Sequence, residues 1–328
     1  MAKLLGINPI ISENNIPDVL PDNNDIIKSL EYASAIHKEV RKHLYTILKP
    51  NITLGSIVKA VEDKTIELSN SKISINKGIG FPVGLSINGC AAHFHPHVND
   101  KTKLKTDDII KIDYGTEVNG WIIDSAFSLY FNEKHDNLAN AVKEATYSGI
   151  KNAGVDVDIN EWAKNINEIM ESYNIHPITN LGGHNIEKGI IHGGYFLPSV
   201  PNDKLTYTRF KEGVFAIETF GSTGDNVVEN TGLPTIYRTI PSNYGQPKLN
   251  GTNKFLNKIK SNFKTLPFTD RYLETENSYK SHLEILTKNK FLFEYPPLCV
   301  KNGITAQYEH TIYISDEKKI VFSKWDDY

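Results

Sequence analysis

Apolar residues recur at helical spacing in the first part of the chain and at alternate positions further along. A long helical pattern covers residues 21–49, opened by Pro21-Asp22, and a second fits residues 54–69. Residues 73–131 instead show the strand and turn signals of GIGFPVG and of an apparent hairpin. Helical patterns return at residues 136–153 and 160–173. The first half therefore predicts helices, then strands, then helices again, after an extended arm.

The second half begins with another strand-rich block. It covers residues 178–220, where VFAIETF is typical of a buried strand. Residues 235–294 differ, because polar turn-rich sequence leads into helical patterns at 254–263 and 278–289; this predicts a helical insertion in the β-rich part. The chain closes with the strand pattern ITAQYEHTIYI. The order of helices, strands, helices and strands suggests two related halves, although no sequence identity between them is visible.

Composition limits the function classes. The 328 residues permit one large unit or two modest domains, and the net charge of −3 gives no general attraction to nucleic acid or anionic membrane. Cys90 and Cys299 do not suggest a disulfide framework, so two free thiols in a reducing compartment are expected. We see neither a signal peptide's apolar region nor a run approaching the ~20 apolar residues of a membrane span. These features favour a cytoplasmic location for the protein.

The hairpin KIDYGTEVNGWIIDSAFSLYF contains an aspartate in each arm, among apolar neighbours. Asn119-Gly120 is a natural two-residue turn, and it sets Asp113 opposite Ala126 with Asp124 two positions from Ala126. Side chains alternate with period two, so both aspartates project from one face within reach of a shared ion. The alternative is a bulge that turns one aspartate towards solvent.

Two glutamates lie in similar strand patterns, Glu218 in VFAIETF and Glu309 in TAQYEHT. A glutamate is rarely buried without a partner, so four acids in strand patterns call for a cation. Hard oxygen ligands suit divalent ions, and several carboxylates can bridge two of them in a hydrolytic site. The alternative is that both glutamates lie on solvated faces.

Histidines occur in two clusters. NLGGHNIEKGIIHGG places His184 after two glycines, which permit a close approach of backbone to metal or substrate, and His192 follows eight residues later. In AAHFHPH, His93, His95 and His97 alternate and would share one face if the stretch were extended. That second pattern is a weak signal, because Pro96 interrupts it and surface loops often contain histidines.

Six segments, in order, resemble the type 2 methionine aminopeptidases: FPVGLSINGCAAHF, KIDYGTEVNGWIID, NLGGHNIEKGIIHGG, AIETFGSTG, YPPLC and TAQYEHT. The similarity extends from about residue 25 to the terminal WDDY. It implies an α+β pita-bread fold, two pseudo-symmetric halves around a dinuclear metal site, within one catalytic domain of residues 1–328. Residues 235–294 match the helical insertion subdomain of type 2 enzymes. The implied activity is removal of initiator methionine before a small second residue.

The resemblance also implies a role for individual residues. The metal ligands would be Asp113, Asp124, His184, Glu218 and Glu309. Asp124 and Glu309 would bridge two divalent ions (Co, Mn, Fe or Zn), Asp113 would hold one ion, and His184 with Glu218 the other; water activated by the ions would attack the peptide. Glu218 would be the acid/base, and His93 and His192 would contact the scissile peptide. The methionine pocket would comprise Phe81, Ile191, Phe220 and Tyr295, with His93 and His192 beside it.

By the same resemblance, the His93 imidazole would be the nucleophile that fumagillin-type epoxides alkylate. Two departures affect the pocket and the histidine motif: Ile236 stands where many eukaryotic members have a pocket histidine, and Gly182 replaces a common polar residue. This sequence shows no long charged N-terminal extension of the kind associated with ribosomes, in which respect it resembles archaeal or viral members.

The expected partners are nascent chains and Met-peptides, and the ribosome is a further candidate. We expect no specific nucleic acid and no membrane as partners. The protein is expected to be a monomer. Two alternatives remain at this point. X-Pro aminopeptidases share the fold and the metal set, and non-catalytic proliferation-associated proteins share the fold and bind RNA or protein.

Overall fold

The computed structural model describes residues 3–7, 14–71, 76–241, 245 and 247–325. Within these residues there are six α-helices: α1 (Ile26–Ile47), α2 (Leu54–Ser69), α3 (Asp136–Asn152), α4 (Ile159–Ser172), α5 (Asn250–Phe263) and α6 (Tyr279–Lys288). The strands are β1 (Lys77–Ile87), β2 (Cys90–Ala92), β3 (Ile109–Val118), β4 (Trp121–Tyr130), β5 (His176–Pro177), β6 (Gly182–Ile186), β7 (Phe196–Pro198), β8 (Gly213–Ser222), β9 (Glu229–Asn230), β10 (Ile236–Thr239), β11 (Phe268–Thr269), β12 (Leu292–Tyr295), β13 (Leu298–Cys299), β14 (Thr305–Ile314) and β15 (Lys319–Val321).

The helices form where the apolar spacing predicts them, with small shifts at their ends. Helix α1 begins at Ile26 and not at Pro21, because the Asp25 carboxylate accepts a hydrogen bond from the Lys28 N–H and caps the first turn. Helix α2 has the predicted bounds, and Thr53 caps it through the Ser56 N–H. These caps satisfy amide groups that the first turn of a helix leaves without an internal partner.

The first half of the molecule is a three-stranded antiparallel sheet covered by two helices. The strand order is β1-β3-β4, and α1 packs on β3 and β4 while α2 packs on β1. The hairpin between β3 and β4 turns at Asn119-Gly120, whose φ angles of 56° and 86° are the positive values that this turn requires. Its pairing is continuous from Ile109 to Val118, without the bulge that was the alternative.

The second half repeats this plan with a larger sheet. Its strands follow the order β15-β14-β8-β6-β7, with β5 paired to β8. Helix α3 packs on β8 and β14, and helix α4 packs against α3. Each half is thus a sheet with two helices on its outer side, which agrees with the two related halves suggested by the order of elements.

The two halves meet where β4 lies against β14. The Thr311 hydroxyl bonds both the N–H and the carbonyl of Asp124, each at 2.7 Å. The Ser125 hydroxyl donates to the Glu309 carbonyl at 2.7 Å. These buried side-chain bonds fix one acid of the hairpin beside one acid of the closing strand.

Residues 235–294 contain the two helices predicted there, but also a three-stranded sheet of order β11-β10-β12 that the sequence did not indicate. The strands are two to four residues long, too short for a period of two to be visible. A separate apolar cluster fills the space between this sheet and the two helices, and it includes Phe255, Phe263, Phe268 and Leu286.

Parts of the earlier expectations fall outside the described residues: 1–2 and 8–13 of the predicted arm, 73–75 of the first strand region, and 326–328 at the end. Leu5 of the arm forms an isolated bridge with Tyr130. Cys90 and Cys299 are free thiols, as predicted. They are register partners in the pairing of β2 with β13. None of the helices in the described ranges has the length and apolar character needed to cross a membrane.

Candidate active site

Two acids enter the site from the β3–β4 hairpin. Asp113 pairs with Ala126, as predicted, and Gly115 pairs with Asp124. The two aspartates are therefore diagonal neighbours on one face of the sheet. Both line a cavity of about 370 Å³ between the two halves of the molecule.

Two more acids enter from the second sheet. Glu218 on β8 is paired directly with Glu309 on β14, so both side chains project from the same face. Both are buried, which rules out the solvated faces that were the alternative for these glutamates.

His184 enters from β6, between β7 and β8. Its Nε2 lies 3.5 Å from Oδ2 of Asp124. The two glycines before it line the cavity and permit tight strand packing: a Cβ at Gly182 would clash with the Leu197 carbonyl oxygen, and one at Gly183 with that of Ala216. Glycine is therefore required for the close approach of these strands.

The ligating atoms form two groups, each with all its atoms within 4.8 Å of one another. One group is Asp124, His184 and Glu309, and the other is Asp113, Glu218 and Glu309. Glu309 belongs to both. The grouping differs from the sequence-based allocation in two respects: Glu218 lies with Asp113 and not with His184, and Asp124, which was expected to bridge, belongs to one group only.

Gln307 links Glu218 with Asp113. Its side-chain amide donates to Oε1 of Glu218 at 2.6 Å and to Oδ2 of Asp113 at 3.4 Å, so it draws the two carboxylates together. Gln307 was not among the residues predicted for the site. The signal was present, because Gln307 lies two positions before Glu309 on the same strand and therefore faces the same way.

The site has the electrostatics of a cation-binding centre. Burial, followed by mutual repulsion, raises the pKa of Asp113, Glu218 and Glu309 well above the usual carboxyl range. Oδ1 of Asp113 is buried, and no hydrogen-bond donor for it is present in the described part of the chain. Four carboxylates and one imidazole are a donor set that suits two divalent transition-metal ions. The residues present therefore fit a dinuclear centre.

His93 and His192 flank this centre on the cavity side. His93 follows β2 and has a φ of +66°, a left-handed backbone conformation that is uncommon for a residue with a side chain. Burial lowers the pKa of His93 to about 4, so the ring is neutral near pH 7. The His192 ring lies 4.4 Å from the His184 ring, and the Tyr295 ring is 5.2 Å from that of His93.

The alternating histidines do not share one face. Strand β2 ends at Ala92, and the left-handed turn at His93 sends the following residues elsewhere. His95 is buried and its Nδ1 bonds the Val83 carbonyl, while His97 is exposed with its Nδ1 3.8 Å from Asp270. Of the three, His93 alone lines the cavity.

The predicted substrate pocket forms one wall of the cavity. All six residues named for it line the cavity, namely Phe81, His93, Ile191, His192, Phe220 and Tyr295. Ile236 joins them from β10, so the residue that departs from the family pattern faces the same space. The wall is mainly apolar and adjoins the acidic cluster.

Known proteins resemble this chain over most of its length. The model of metallopeptidase family M24 matches residues 28–316. Methionine aminopeptidase 2 of Candida dubliniensis is 44% identical over 309 residues, which cover 89% of this chain and 68% of the relative. Methionine aminopeptidase 2 of Schizosaccharomyces pombe is 40% identical over 320 residues, 93% of this chain and 74% of the relative.

Solved structures agree on the fold at much lower identity. A thermophilic Arx1 has a TM-score of 0.76 at 18% identity and covers 91% of each chain. Methionine aminopeptidase from Rickettsia prowazekii has a TM-score of 0.64 at 18% identity, covering 93% of this chain and 99% of that one. X-Pro aminopeptidase from Thermotoga maritima reaches a TM-score of 0.55 at 11% identity, covering 93% and 62%.

The predicted pita-bread fold is thus confirmed, and the two alternatives from the sequence are not favoured. The likeness to X-Pro aminopeptidase, at 11% identity, shows the fold alone, whereas similarity to methionine aminopeptidase 2 extends through most of the sequence. With its buried acids and histidine suited to divalent metal, the chain belongs to metallopeptidase family M24 and, within it, to the type 2 methionine aminopeptidases.

Proposed function

We propose that this enzyme removes methionine only before a small second residue, and that five residues hold its two divalent ions: Asp113, Asp124, His184, Glu218 and Glu309. The observation that supports this most strongly is the place of Glu309 in both groups of ligating atoms. A carboxylate with two oxygens can serve two ions at once, and a shared carboxylate is what a two-metal hydrolytic site needs.

When bound, the two ions supply water of lowered pKa and polarise the scissile carbonyl. The chain's own residues supply the rest. Glu218 lines the cavity, and the bond from Gln307 orients its carboxylate. It is the proposed acid/base, which takes the proton from water and returns it to the leaving amine. His93 and His192 are the proposed hydrogen-bond donors to the scissile peptide as charge develops on its oxygen.

The apolar wall is the proposed pocket for the methionine side chain. Phe81, Ile191, Phe220 and Tyr295 offer a surface without charge, next to the acids that would hold the metals. An unbranched thioether adapts well to such a surface and makes favourable contacts with aromatic rings. Ile236 makes this wall more apolar than a histidine would.

We infer further that residues 1–328 are one catalytic domain, with residues 235–294 as an inserted subdomain; the separate apolar cluster of that segment supports this. We also propose a monomer, since a single copy of the chain is sufficient to bring the proposed metal ligands together. The proposed place of action is the cytoplasm, on chains emerging from ribosomes, because initiator methionine is first exposed there.

The experiment compares a Met-Gly-Met peptide with an Ala-Pro peptide, using protein loaded with Co²⁺ or Mn²⁺. We expect methionine release from the first and no cleavage of the second. Cleavage of Ala-Pro alone would replace this proposal with an X-Pro specificity. No cleavage of either by protein with two bound ions would favour a non-catalytic role.

A further inference from the structure

One arginine, remote from the acidic cluster, is linked to the site through a tyrosine. Nε of Arg238 on β10 donates to the Tyr295 hydroxyl on β12 at 2.8 Å. The same hydroxyl lies 3.3 Å from Nδ1 of His192. Tyr295 is buried, so water does not compete freely for its hydroxyl. The three side chains form a continuous hydrogen-bonded row that ends at the cavity.

The direction of these bonds follows from the chemistry of their ends. A guanidinium only donates, so the Tyr295 oxygen must be the acceptor towards Arg238. The hydroxyl has a single proton, and with its oxygen already accepting, that proton is free to go to His192. When that proton goes to Nδ1 of a neutral His192, Nδ1 is the acceptor and the ring proton resides on Nε2, because the bond at one nitrogen decides the tautomer.

Two further contacts hold the arginine itself in place. Its guanidinium lies over the Phe293 ring at 5.2 Å, and Nη1 donates to the Thr239 carbonyl at 3.3 Å. Stacking on an aromatic face and a fixed fork of donors are properties of arginine that lysine does not share. The donor towards Tyr295 is therefore fixed in direction as well as in distance.

We propose that Arg238 is a positioning residue that acts through the Tyr295 hydroxyl to keep His192 in its Nε2–H tautomer. The ring then presents an N–H to the cavity, where a developing negative charge needs a donor. The opposite tautomer would present a lone pair to that oxygen and repel it. The catalytic use of this tautomer rests on the proposed function of His192, whereas the tautomer itself does not.

The kinetic test uses Arg238→Met, Tyr295→Phe and the double variant, each loaded with Mn²⁺ and assayed on Met-Gly-Met. We expect each single change to lower kcat by about 10–100-fold, the usual effect of losing a partner that orients a site residue, with KM changed less. Because the arginine acts through the hydroxyl, the double variant should be no slower than Tyr295→Phe. Arg238→Lys should recover part of the loss.

A matched control is Arg209→Met, since Arg209 is exposed and its guanidinium donates to the Asp156 carbonyl. It should leave kcat unchanged. Tyr295→Phe removes a single oxygen, so it keeps the test usable if Arg238→Met fails to fold. Losses that simply multiply in the double variant would overturn the proposal, because they would show that Arg238 acts independently of the hydroxyl.

The second readout is the ¹⁵N spectrum of the imidazole rings in metal-free protein, with the His192 signals identified by their loss in His192→Asn. We expect a protonated Nε2 and an unprotonated Nδ1, and a mixture of tautomers in Arg238→Met. An Nδ1–H tautomer or an imidazolium in the unmodified protein would overturn the proposal. This measurement needs no turnover, so its failure is distinguishable from failure of the proposed function.

Discussion

Glu218 and Glu309 are paired directly across two antiparallel strands, deep inside the molecule. Like charges in this arrangement repel, and burial adds the cost of removing each carboxylate from water. Gln307 offsets part of this through its bond to Glu218. We infer that the strand pair is at its most stable with cations between its acids and those of the hairpin.

The first prediction concerns metal removal. Metal-free protein should melt at a lower temperature than protein with Mn²⁺ or Co²⁺, because the ions neutralise repulsion between Glu218 and Glu309. With free metal at 100 times Kd, one site adds about 2.7 kcal/mol to the free energy of unfolding. Calorimetry before and after a chelator would measure this. An unchanged melting temperature would argue against a metal centre at these acids.

The second prediction concerns Glu309, the residue shared by both groups of ligating atoms. Glu309→Ala should lose at least one ion and most of the activity, since both proposed metal positions lose a ligand. Elemental analysis with a Met-Gly-Met assay would measure both effects. Glu168→Ala, on an exposed face of α4, is the matched control and should behave as the unmodified protein does. Full activity with two ions in Glu309→Ala would remove Glu309 from the site.

The hairpin shows how far local sequence is sufficient. Asn119-Gly120 fixes the turn, and a period of two then places Asp113 and Asp124 on one face, as the structure confirms. Every step depends on residues close together in the chain. The pairing of Glu218 with Glu309 is different, because the register of two distant strands leaves no local pattern. Only the resemblance to a known family linked them.

The histidines and the insertion show why other features were not predicted. A period of two assumes extended backbone, but His93 has a φ of +66°, which ends the alternation. The short strands around Ile236 and Tyr295 pair only with partners distant in sequence. Arg238 contacts its hydroxyl partner through that pairing of β10 with β12, so no sequence spacing could indicate it.

The third prediction concerns the second residue of the substrate. Methionine should be removed before Gly, Ala, Ser, Thr or Val, and not before Lys. The Tyr295 ring lies 5.2 Å from the His93 ring and 5.8 Å from the His192 ring, and we expect these three rings to leave little room for a large side chain. Rates on paired Met-Gly and Met-Lys peptides would measure this selectivity. Equal kcat/KM values for the two would show that the cavity does not restrict that position.

The last prediction concerns His93, whose half-buried ring lies beside Tyr295 and lines the cavity without joining either group of ligating atoms. His93→Asn should therefore keep both ions. Its kcat should fall by about 10²-fold or more, which is typical of losing a hydrogen bond to the transition state.

With the pKa of His93 lowered to about 4, the ring is neutral and nucleophilic at pH 7. A fumagillin-type epoxide should add covalently to the unmodified protein and not to His93→Asn, which intact mass spectrometry would show. His95→Asn is the control, because His95 points away from the cavity to the Val83 carbonyl, and this variant should still form the adduct. Loss of an ion in His93→Asn would instead make His93 a ligand, and the set of five ligands proposed above would be wrong.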